Sequence, residues 1–337
     1  MRILLDVMGG DLPPQELVRG GIAVARRRKI DLVFAGDPSV INEVLNREGK
    51  KDRARFDVLP SRSVIRMDDR PVKAVREKGD SSLVLGLNAL KDGDVDAFVS
   101  PGNTGAIVVA SLFVLGRIAG IPRPGILAVL PTLTEKEILV IDVGANSDCT
   151  PEQLVHFALM GSAYACDVLG IENPKIGLLN IGTERGKGNR LIGKAFSLLE
   201  AGPFPFSGNV EAHSILSDRP VDVVVCDGFV GNIFLKSVEG GVSAVTGLLR
   251  RTIRGRLIAM LGALLMSGSF ARVKGTLSYR RRGGAPLLGV NGVVVIAHGR
   301  SDAEAIGSAV EVAHREVSSN LLERLREGIE GWRTDGG

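Results

Sequence analysis

Blocks of hydrophobic and polar residues alternate along the chain. Short apolar runs end in glycine and small polar residues, and stretches with apolar residues at helical spacing follow them. The apolar runs with their polar ends cover residues 3–11, 97–106, 138–148, 176–189, 223–232 and 293–302. Apolar residues fill their strand portions, as is typical of strands covered on both faces. The stretches with helical spacing include residues 16–27, 82–90, 151–169 and 303–325.

This alternation predicts an α/β protein with a Rossmann-like, three-layer αβα architecture. Helices on both faces would cover a mostly parallel sheet. No linker rich in proline and serine interrupts residues 1–337, so we expect a single domain. The loops that follow parallel strands emerge at the same edge of a sheet. We therefore expect most of the loops after these runs to form one crevice.

Residues 240–282 differ from the rest of the chain. They begin with apolar residues spaced by three or four, continue into the wholly apolar LIAMLGALLM, and end in a basic stretch. This pattern predicts a helical excursion that projects from the α/β body. From these residues alone we favour pairing with a second copy in a dimer, or burial in the core. The alternative is an apolar tip, flanked by arginines, that enters a bilayer interface.

Composition narrows the possible partners and compartment. The net charge is +4, and arginines cluster at residues 26–28, 250–251 and 280–282, either as solvated faces or as contacts for an acidic protein, phosphate or an anionic membrane. Aromatic residues make up only 4%, which counts against binding nucleic acid by base stacking. The three cysteines form no C-x-x-C pair and fit a reducing cytoplasm. We expect a cytoplasmic protein without a signal peptide or membrane span.

The loops lack the familiar motifs for metals, nucleotides and covalent catalysis. Gly182 and Gly186 are too close together for a P-loop, and Gly188 stands where its Ser or Thr would be. No dinucleotide fingerprint, zinc-binding histidine spacing or G-x-S-x-G elbow occurs. We therefore expect neither a metal nor a cofactor. Amides, hydroxyls, carboxylates and one lysine suit the binding of an oxyanion and the stabilisation of developing charge.

Six motifs occur in the order DVMGGD, SPGNTGA, DVGANSD, GLLNIGTERGKGN, DVVVCDGFVGNIFLK and GGAPLLGVNGVVVIAHGRSDA. Together they resemble the PlsX family of phosphate acyltransferases over essentially the whole chain. The departures are small: Val7, Leu12, Pro101 and Arg300 replace residues more usual in the family. The resemblance implies a fold similar to the isocitrate/isopropylmalate dehydrogenase and phosphotransacetylase group.

The resemblance also implies the reaction and the partners. A fatty acyl group would pass from acyl carrier protein to inorganic phosphate, giving acyl phosphate for phospholipid synthesis. The enzyme would be a homodimer, peripherally associated with the membrane near the membrane acyltransferase that consumes the product. We expect no nucleic-acid partner.

Direct attack of phosphate on a thioester needs a held phosphate and donors for the oxyanion, because a thiolate leaves readily. Lys187, flanked by glycines after a strand, is the candidate for charge stabilisation, although a lone lysine in a loop is commonly a solvated charge. Asn232 is the candidate oxyanion donor, and a helix N-cap is its alternative role. The resemblance points to the same two loops.

The remaining candidates for substrate binding are small, polar or glycine residues at strand ends and helix starts. Asn103 and Thr104 would lie at a helix N-terminus that receives phosphate, and the neighbouring glycines would allow its close approach. We expect their aspartates to orient loops rather than to act as bases, Glu184 to position Lys187, and His298 either to donate to phosphate or to pack within its loop. The set is Asp6, Gly9, Gly10, Ser100, Gly102, Asn103, Thr104, Gly105, Asp142, Asn146, Thr183, Glu184, Gly188, Asn189, Asp227, Gly228, Phe229, Gly231 and His298.

Three other functions fit parts of the sequence. A phosphotransacetylase on the same scaffold would use acyl-CoA in place of the carrier protein. A metal- and NAD-dependent hydroxyacid dehydrogenase would need a dinucleotide site and an aspartate cluster, and neither can be assembled here. A non-catalytic, membrane-peripheral scaffold could bind acidic carrier protein, but it would have no need of the KGN, GNTGA and GFVGN loops.

Overall fold

The computed structural model describes residues 1–49, 55–270 and 283–336. Its strands are β1 (Arg2–Asp6), β2 (Asp31–Gly36), β3 (Asp57–Pro60), β4 (Ala97–Ser100), β5 (Gly125–Pro131), β6 (Glu137–Ile141), β7 (Ile176–Asn180), β8 (Phe206–Glu211), β9 (Val223–Val225), β10 (Ala285–Leu288) and β11 (Val293–Ile296). Within the described ranges these eleven strands form one sheet, in the order β3-β2-β1-β4-β11-β10-β5-β6-β9-β7-β8. The six strands predicted from the apolar runs are confirmed as β1, β4, β6, β7, β9 and β11.

Helices connect most of the strands. They are α1 (Pro14–Arg28), α2 (Pro38–Glu48), α3 (Pro71–Glu77), α4 (Ser82–Lys91), α5 (Thr104–Val114), α6 (Pro151–Asp167), α7 (Arg190–Glu200), α8 (Ala212–Ser217), α9 (Gly228–Ile253), α10 (Leu257–Leu265), α11 (Ala303–Ser318) and α12 (Leu321–Gly336). The stretch 303–325, predicted as one helix, is two, because Asn320 adopts a left-handed φ of 54° between α11 and α12.

Apolar side chains alternate between the two faces of the sheet, as the strand period requires. Leu4, Phe98 and Val140 belong to one core that extends along the sheet and includes residues of α4, α5, α8 and α9. Val99 faces the opposite way, into a core with α1, α2 and α11. Leu139 faces a third core with α6, α7 and α12. Both faces are thus covered by helices, which confirms the three-layer αβα fold.

Strand direction reverses in the middle of the sheet. The neighbours β3, β2, β1, β4 and β11 are parallel to one another, and so are β6, β9, β7 and β8. Between the two blocks, β10 is antiparallel to β11 and to β5, and β5 is antiparallel to β6. Three antiparallel steps make the two parallel blocks run in opposite directions.

The expectation of one crevice formed by most of the six loops is therefore wrong. The loops after β1, β4 and β11 lie at one edge of the sheet, which we call the Asp6 edge. The loops after β6, β9 and β7 lie at the opposite edge, which we call the Lys187 edge. Strand β5 runs from one edge to the other over seven residues, which corresponds to about 20 Å of extended chain.

The helical excursion is confirmed as helix but begins earlier than residue 240. Helix α9 starts at Gly228, and its buried residues are Gly228, Gly231 and Phe234. From residue 240 to 270 no residue is buried, so the expectation of core burial is wrong for this range. The arginines at 280–282 and the rest of the segment from 271 lie outside the described residues. Among the described helices, none has both the length and the apolar character needed to cross a membrane.

Glycine lets α4 pack closely on the sheet, and this predicts a stability difference. A Cβ on Gly86 would overlap the ring of Phe98 and lie 2.8 Å from Leu4 Cδ2. We expect Gly86→Ala to lower the free energy of unfolding by about 2 kcal/mol, because overpacking strains the core. Chemical denaturation measures this change.

The control for this prediction is Gly193→Ala on α7, where an added Cβ would meet nothing within 4 Å. Alanine there should leave stability unchanged or raise it by about 0.5 kcal/mol, since glycine is a poor helix former. Equal stability of both variants would contradict close packing at Gly86.

Candidate active site

The carboxylate of Asp142, directly after β6, organises the Lys187 edge. It is fully buried. It accepts the backbone N–H groups of Ile126, Gly144, Ala145 and Asn146, and the side-chain amide of Asn146, at 2.8 to 3.1 Å. Burial raises the pKa of Asp142, and these donors act in the opposite direction. Because both oxygens are occupied by N–H donors, Asp142 orients its loop rather than acting as a base.

Asn146 joins this loop to the start of α9. Its side-chain amide also donates to the carbonyl of Pro124 at 2.7 Å, and its own carbonyl accepts the N–H of Gly228 at 2.8 Å. A Cβ on Gly228 would lie 2.6 Å from Asn146 O, and one on Gly231 would overlap the carbonyl of Asp142. The two glycines therefore let the first turn of α9 lie directly on the β6 loop.

Asp227, directly before α9, is the N-cap of this helix. Its Oδ1 accepts the N–H of Val230 at 2.9 Å. Asn232 lies inside the helix, so its alternative role as the N-cap is wrong. The reason is that α9 begins at Gly228 instead of after the GFVG sequence. Asn232 is exposed and faces the β6 loop, with its Nδ2 3.7 Å from the position that a Cβ on Gly144 would take.

Lys187 lies in the loop after β7, and its backbone is held on both sides. Its N–H donates to the carbonyl of Glu184 at 3.1 Å, and its carbonyl accepts from Asn180 Nδ2 at 3.0 Å. Its ammonium group is 3.8 Å from the carboxylate of Glu184, and its side chain is 51% exposed. Asn189 caps α7 by accepting the N–H of Ile192 at 3.0 Å. The backbone is thus ordered while the ammonium group faces solvent.

Strands β6, β9 and β7 are direct neighbours, so their loops lie side by side. The structure therefore brings together both candidate catalytic residues and many of the binding candidates. Those at the Lys187 edge are Asp142, Asn146, Thr183, Glu184, Lys187, Gly188, Asn189, Asp227, Gly228, Phe229, Gly231 and Asn232.

The other candidates lie at the Asp6 edge. Asp6 is fully buried and accepts from the N–H of Met8 at 2.9 Å and the hydroxyl of Ser100 at 2.7 Å. Burial raises the pKa of Asp6. Gly9 packs against Gly102, whose Cα would lie 2.8 Å from a Cβ on Gly9. The members of this group are Asp6, Gly9, Gly10, Ser100, Gly102, Asn103, Thr104, Gly105 and His298.

Asn103 holds a neighbouring loop over the start of α5. It caps α5 by accepting the N–H of Ala106 at 3.1 Å. Its Nδ2 donates to the carbonyls of Met67 at 3.0 Å and Asp69 at 3.2 Å. His298 is exposed, and its Nδ1 accepts the N–H of Arg300 at 3.1 Å. These contacts join loops of the Asp6 edge to one another and do not extend to Lys187.

Two cysteines lie close to Asp142 and are poor nucleophiles. Burial raises the pKa of Cys149 to about 12. Cys226 is fully buried, with its Sγ 3.3 Å from the carbonyl of Asp142, and burial raises its pKa well above the usual value. A protonated thiol does not attack a thioester at neutral pH. The described residues of the Lys187 edge thus offer charge stabilisation and hydrogen-bond donors rather than a cysteine nucleophile.

Sequence reasoning missed two residues that hold the Lys187 loop. Asn180 is the polar residue at the end of β7, and polar residues at strand ends are the pattern that identified Asp6 and Asp142. The same pattern could have identified Asn180. Asn209 lies in β8, which was not among the predicted strands, and donates to the carbonyl of Glu184 at 2.8 Å. No local pattern in the sequence links Asn209 to this loop.

Several solved structures have the same fold. A phosphotransacetylase from Streptococcus pyogenes matches with a TM-score of 0.64 at 17% identity, over 94% of both chains. A branched-chain phosphotransacylase from Enterococcus faecalis V583 matches with a TM-score of 0.57 at 15% identity, over 94% of this chain and 99% of that one. At these identities the likeness shows the fold alone, and it confirms the expected similarity to the phosphotransacetylase group.

Sequence comparisons identify the family. A family model described as "Fatty acid synthesis protein" matches residues 1–324. A protein named phosphate acyltransferase from Heliobacterium modesticaldum is 46% identical, with 98% of each chain covered. Another of that name, from Desulforudis audaxviator, is 44% identical over 100% of this chain and 98% of its own. The chain belongs to this family of acyltransferases, as its motifs predicted.

The arrangement around Asp142 predicts a large stability effect of a small change. In Asp142→Asn, an NH₂ group would replace one carboxylate oxygen and face N–H donors. We expect the free energy of unfolding to fall by about 3 kcal/mol, because buried donors lose their acceptor. Thermal and chemical denaturation measure the change.

The matched control is Asp37→Asn, which retains an N-cap acceptor for Ser39 at the start of α2. Asparagine and aspartate cap helices about equally well, so we expect a change of no more than about 0.5 kcal/mol. Wild-type stability of Asp142→Asn would show that the carboxylate does not organise the loop.

Proposed function

We propose that this protein transfers a fatty acyl group from acyl carrier protein to inorganic phosphate, giving acyl phosphate for phospholipid synthesis. We place the reaction at the Lys187 edge. The observation that carries this proposal is that the Lys187 loop follows β7 while Asn232, near the start of α9, follows the neighbouring strand β9. The name shared by the curated relatives supports the reaction.

Phosphate binds beside the ammonium group of Lys187, which attracts it. One phosphate oxygen attacks the thioester carbonyl carbon, and a tetrahedral intermediate with an oxyanion forms. The amide of Asn232 donates to that oxyanion. The intermediate collapses with cleavage of the C–S bond, the thiolate leaves with the bonding electrons, and the proton of the phosphate passes through solvent to the thiolate. Acyl phosphate and a free thiol are the products, without an acyl-enzyme.

The two sheet edges explain why we assign phosphate to Lys187. About 20 Å of strand separates the edges, so one phosphate ion binds at only one of them. The oxygens of Asp6 and the side chain of Asn103 at the other edge are already engaged by neighbouring loops. His298 is exposed at that edge, and its Nδ1 accepts the N–H of Arg300. The Lys187 edge presents an exposed ammonium group and an exposed amide after neighbouring strands, which are the two groups that the reaction requires.

The exposed helices fit the proposed partners. Large apolar side chains project from α9 and α10, among them Val245, Leu248, Leu249, Leu257, Ile258, Leu261, Leu264 and Leu265. We propose that this surface contacts a second copy in a homodimer, the membrane, or both. Peripheral attachment of a cytoplasmic enzyme would release acyl phosphate near the membrane acyltransferase that consumes it.

The identity of the acyl donor is tested by thiol release from palmitoyl-acyl carrier protein and from palmitoyl-CoA, each with and without inorganic phosphate. Hydroxylamine traps any acyl phosphate. We expect phosphate-dependent release from the carrier protein, with a trappable product, because the acidic carrier suits a chain of net charge +4.

Phosphate-dependent release from palmitoyl-CoA alone would favour the phosphotransacetylase alternative, whose fold the solved structures share. Absence of release from either donor would contradict the proposed reaction and would favour the non-catalytic scaffold.

The role of Lys187 is tested by Lys187→Ala. We expect kcat/KM to fall by at least about 100-fold, the size of effect seen when one group that stabilises a transition-state charge is removed. The melting temperature should stay the same, because the side chain is half exposed.

Lys91→Ala, at the exposed end of α4, is the control and should retain full activity. Near-normal turnover of Lys187→Ala would remove this lysine from the mechanism.

A further inference from the structure

We propose that Asn209 is a positioning residue for Lys187, and this inference rests on the proposed function. Asn209 lies in β8, the strand at one end of the sheet. Its side chain acts through the backbone of the Lys187 loop and does not itself contact substrate. Its role is to keep the ammonium group of Lys187 where phosphate binds.

The hydrogen bonds of Asn209 and Lys187 meet at one carbonyl. Asn209 Nδ2 donates to Glu184 O at 2.8 Å, and the N–H of Lys187 donates to the same oxygen at 3.1 Å. On the other side, Asn180 Nδ2 holds the carbonyl of Lys187 at 3.0 Å. Two side-chain amides of the sheet, Asn180 from β7 and Asn209 from β8, therefore hold the backbone of the Lys187 loop by hydrogen bonds.

A β-bulge aims Asn209 at this loop. Ile176 pairs with Phe206 and Leu178 with Asn209, so β8 advances three residues while β7 advances two. The bulged segment of β8 contains Gly208, which has a φ of +87°. Without the bulge, Gly208 would stand opposite Leu178 and Asn209 would point to the other face of the sheet. Bulges are common in the outermost strands of sheets and beside active sites, where they redirect a side chain.

The burial of Asn209 indicates that stability does not explain the amide. The residue is 6% exposed, and its Oδ1 is buried without a hydrogen-bond partner. A buried polar atom without a partner lowers stability. Leucine at this position would remove that atom, and the carbonyl of Glu184 would keep the N–H of Lys187 as its donor. We therefore attribute the amide at this position to something other than packing. Its hydrogen bond to Glu184 O connects it to the Lys187 loop.

The test compares Asn209→Leu and Asn209→Ala with wild type in steady-state acyl transfer. We expect KM for phosphate to rise about tenfold, because a displaced ammonium group of Lys187 would bind phosphate less tightly. Misplacement of a catalytic group by 1 Å can lower the rate by about 100-fold, so a smaller displacement suffices. KM for the acyl donor should change less than about twofold. Asn209→Leu should keep the wild-type melting temperature, which separates positioning from folding.

Asn88→Ala is the matched control. Its side chain also donates to a backbone carbonyl, that of Val84 at 3.0 Å, but on α4. We expect its KM for phosphate to equal that of wild type.

Gly208→Ala tests the bulge without removing the amide. Alanine disfavours a φ of +87°, so the bulge should weaken and KM for phosphate should rise, as in the Asn209 variants. Gly93→Ala is its control, because Gly93 has a φ of +79° with nothing within 4 Å of an added Cβ. That variant carries the same backbone strain and should retain the wild-type KM for phosphate.

An unchanged KM for phosphate in folded Asn209→Leu, with an active wild type, would overturn the inference. Equal increases in both KM values would also overturn it, because they indicate a general disturbance of the site. Failure of the proposed function is distinguishable, since wild-type protein would then show no phosphate-dependent transfer. In that case the inference fails with it.

Discussion

The reversal of strand direction at β10, β5 and β6 is the constraint on which the rest of the structure depends. Hydrogen bonding continues across the sheet, but the three antiparallel pairings make the second parallel block run in the opposite direction to the first. Each block sends its strand-end loops to its own edge. The reversal therefore divides similar glycine-rich loops into two sets and decides which polar side chains can act together.

Within the Lys187 edge, different residues orient the loops and carry the proposed chemistry. Asp142 is buried and binds N–H groups from two segments, while Gly228 and Gly231 let α9 lie on its loop. Such a scaffold leaves Lys187 and Asn232 exposed on ordered backbone. Preorganised donors of this kind stabilise developing charge without a covalent intermediate. The protonated state of Cys149 is in keeping with direct attack by phosphate.

Local patterns predicted much of the fold but not how its parts meet. Apolar runs with polar ends correctly predicted six strands, and the motif order correctly predicted the family. The reversal depends on β5 and β10, whose pairing partners are far apart in sequence, so no short window reveals it. Lys187 stood out because glycines flank it. Asn209 did not, because its contact with the Lys187 loop depends on a bulge in β8 and on a hydrogen bond to a residue 25 positions away in sequence.

The assignment of phosphate to one edge is tested most directly by backbone amide hydrogen exchange with and without inorganic phosphate. We expect phosphate to slow exchange in residues 181–192, which surround Lys187 and the start of α7, and to leave residues 9–11 and 102–106 unchanged. Slowed exchange confined to residues 9–11 and 102–106 would place phosphate at the Asp6 edge and contradict the role assigned to Lys187.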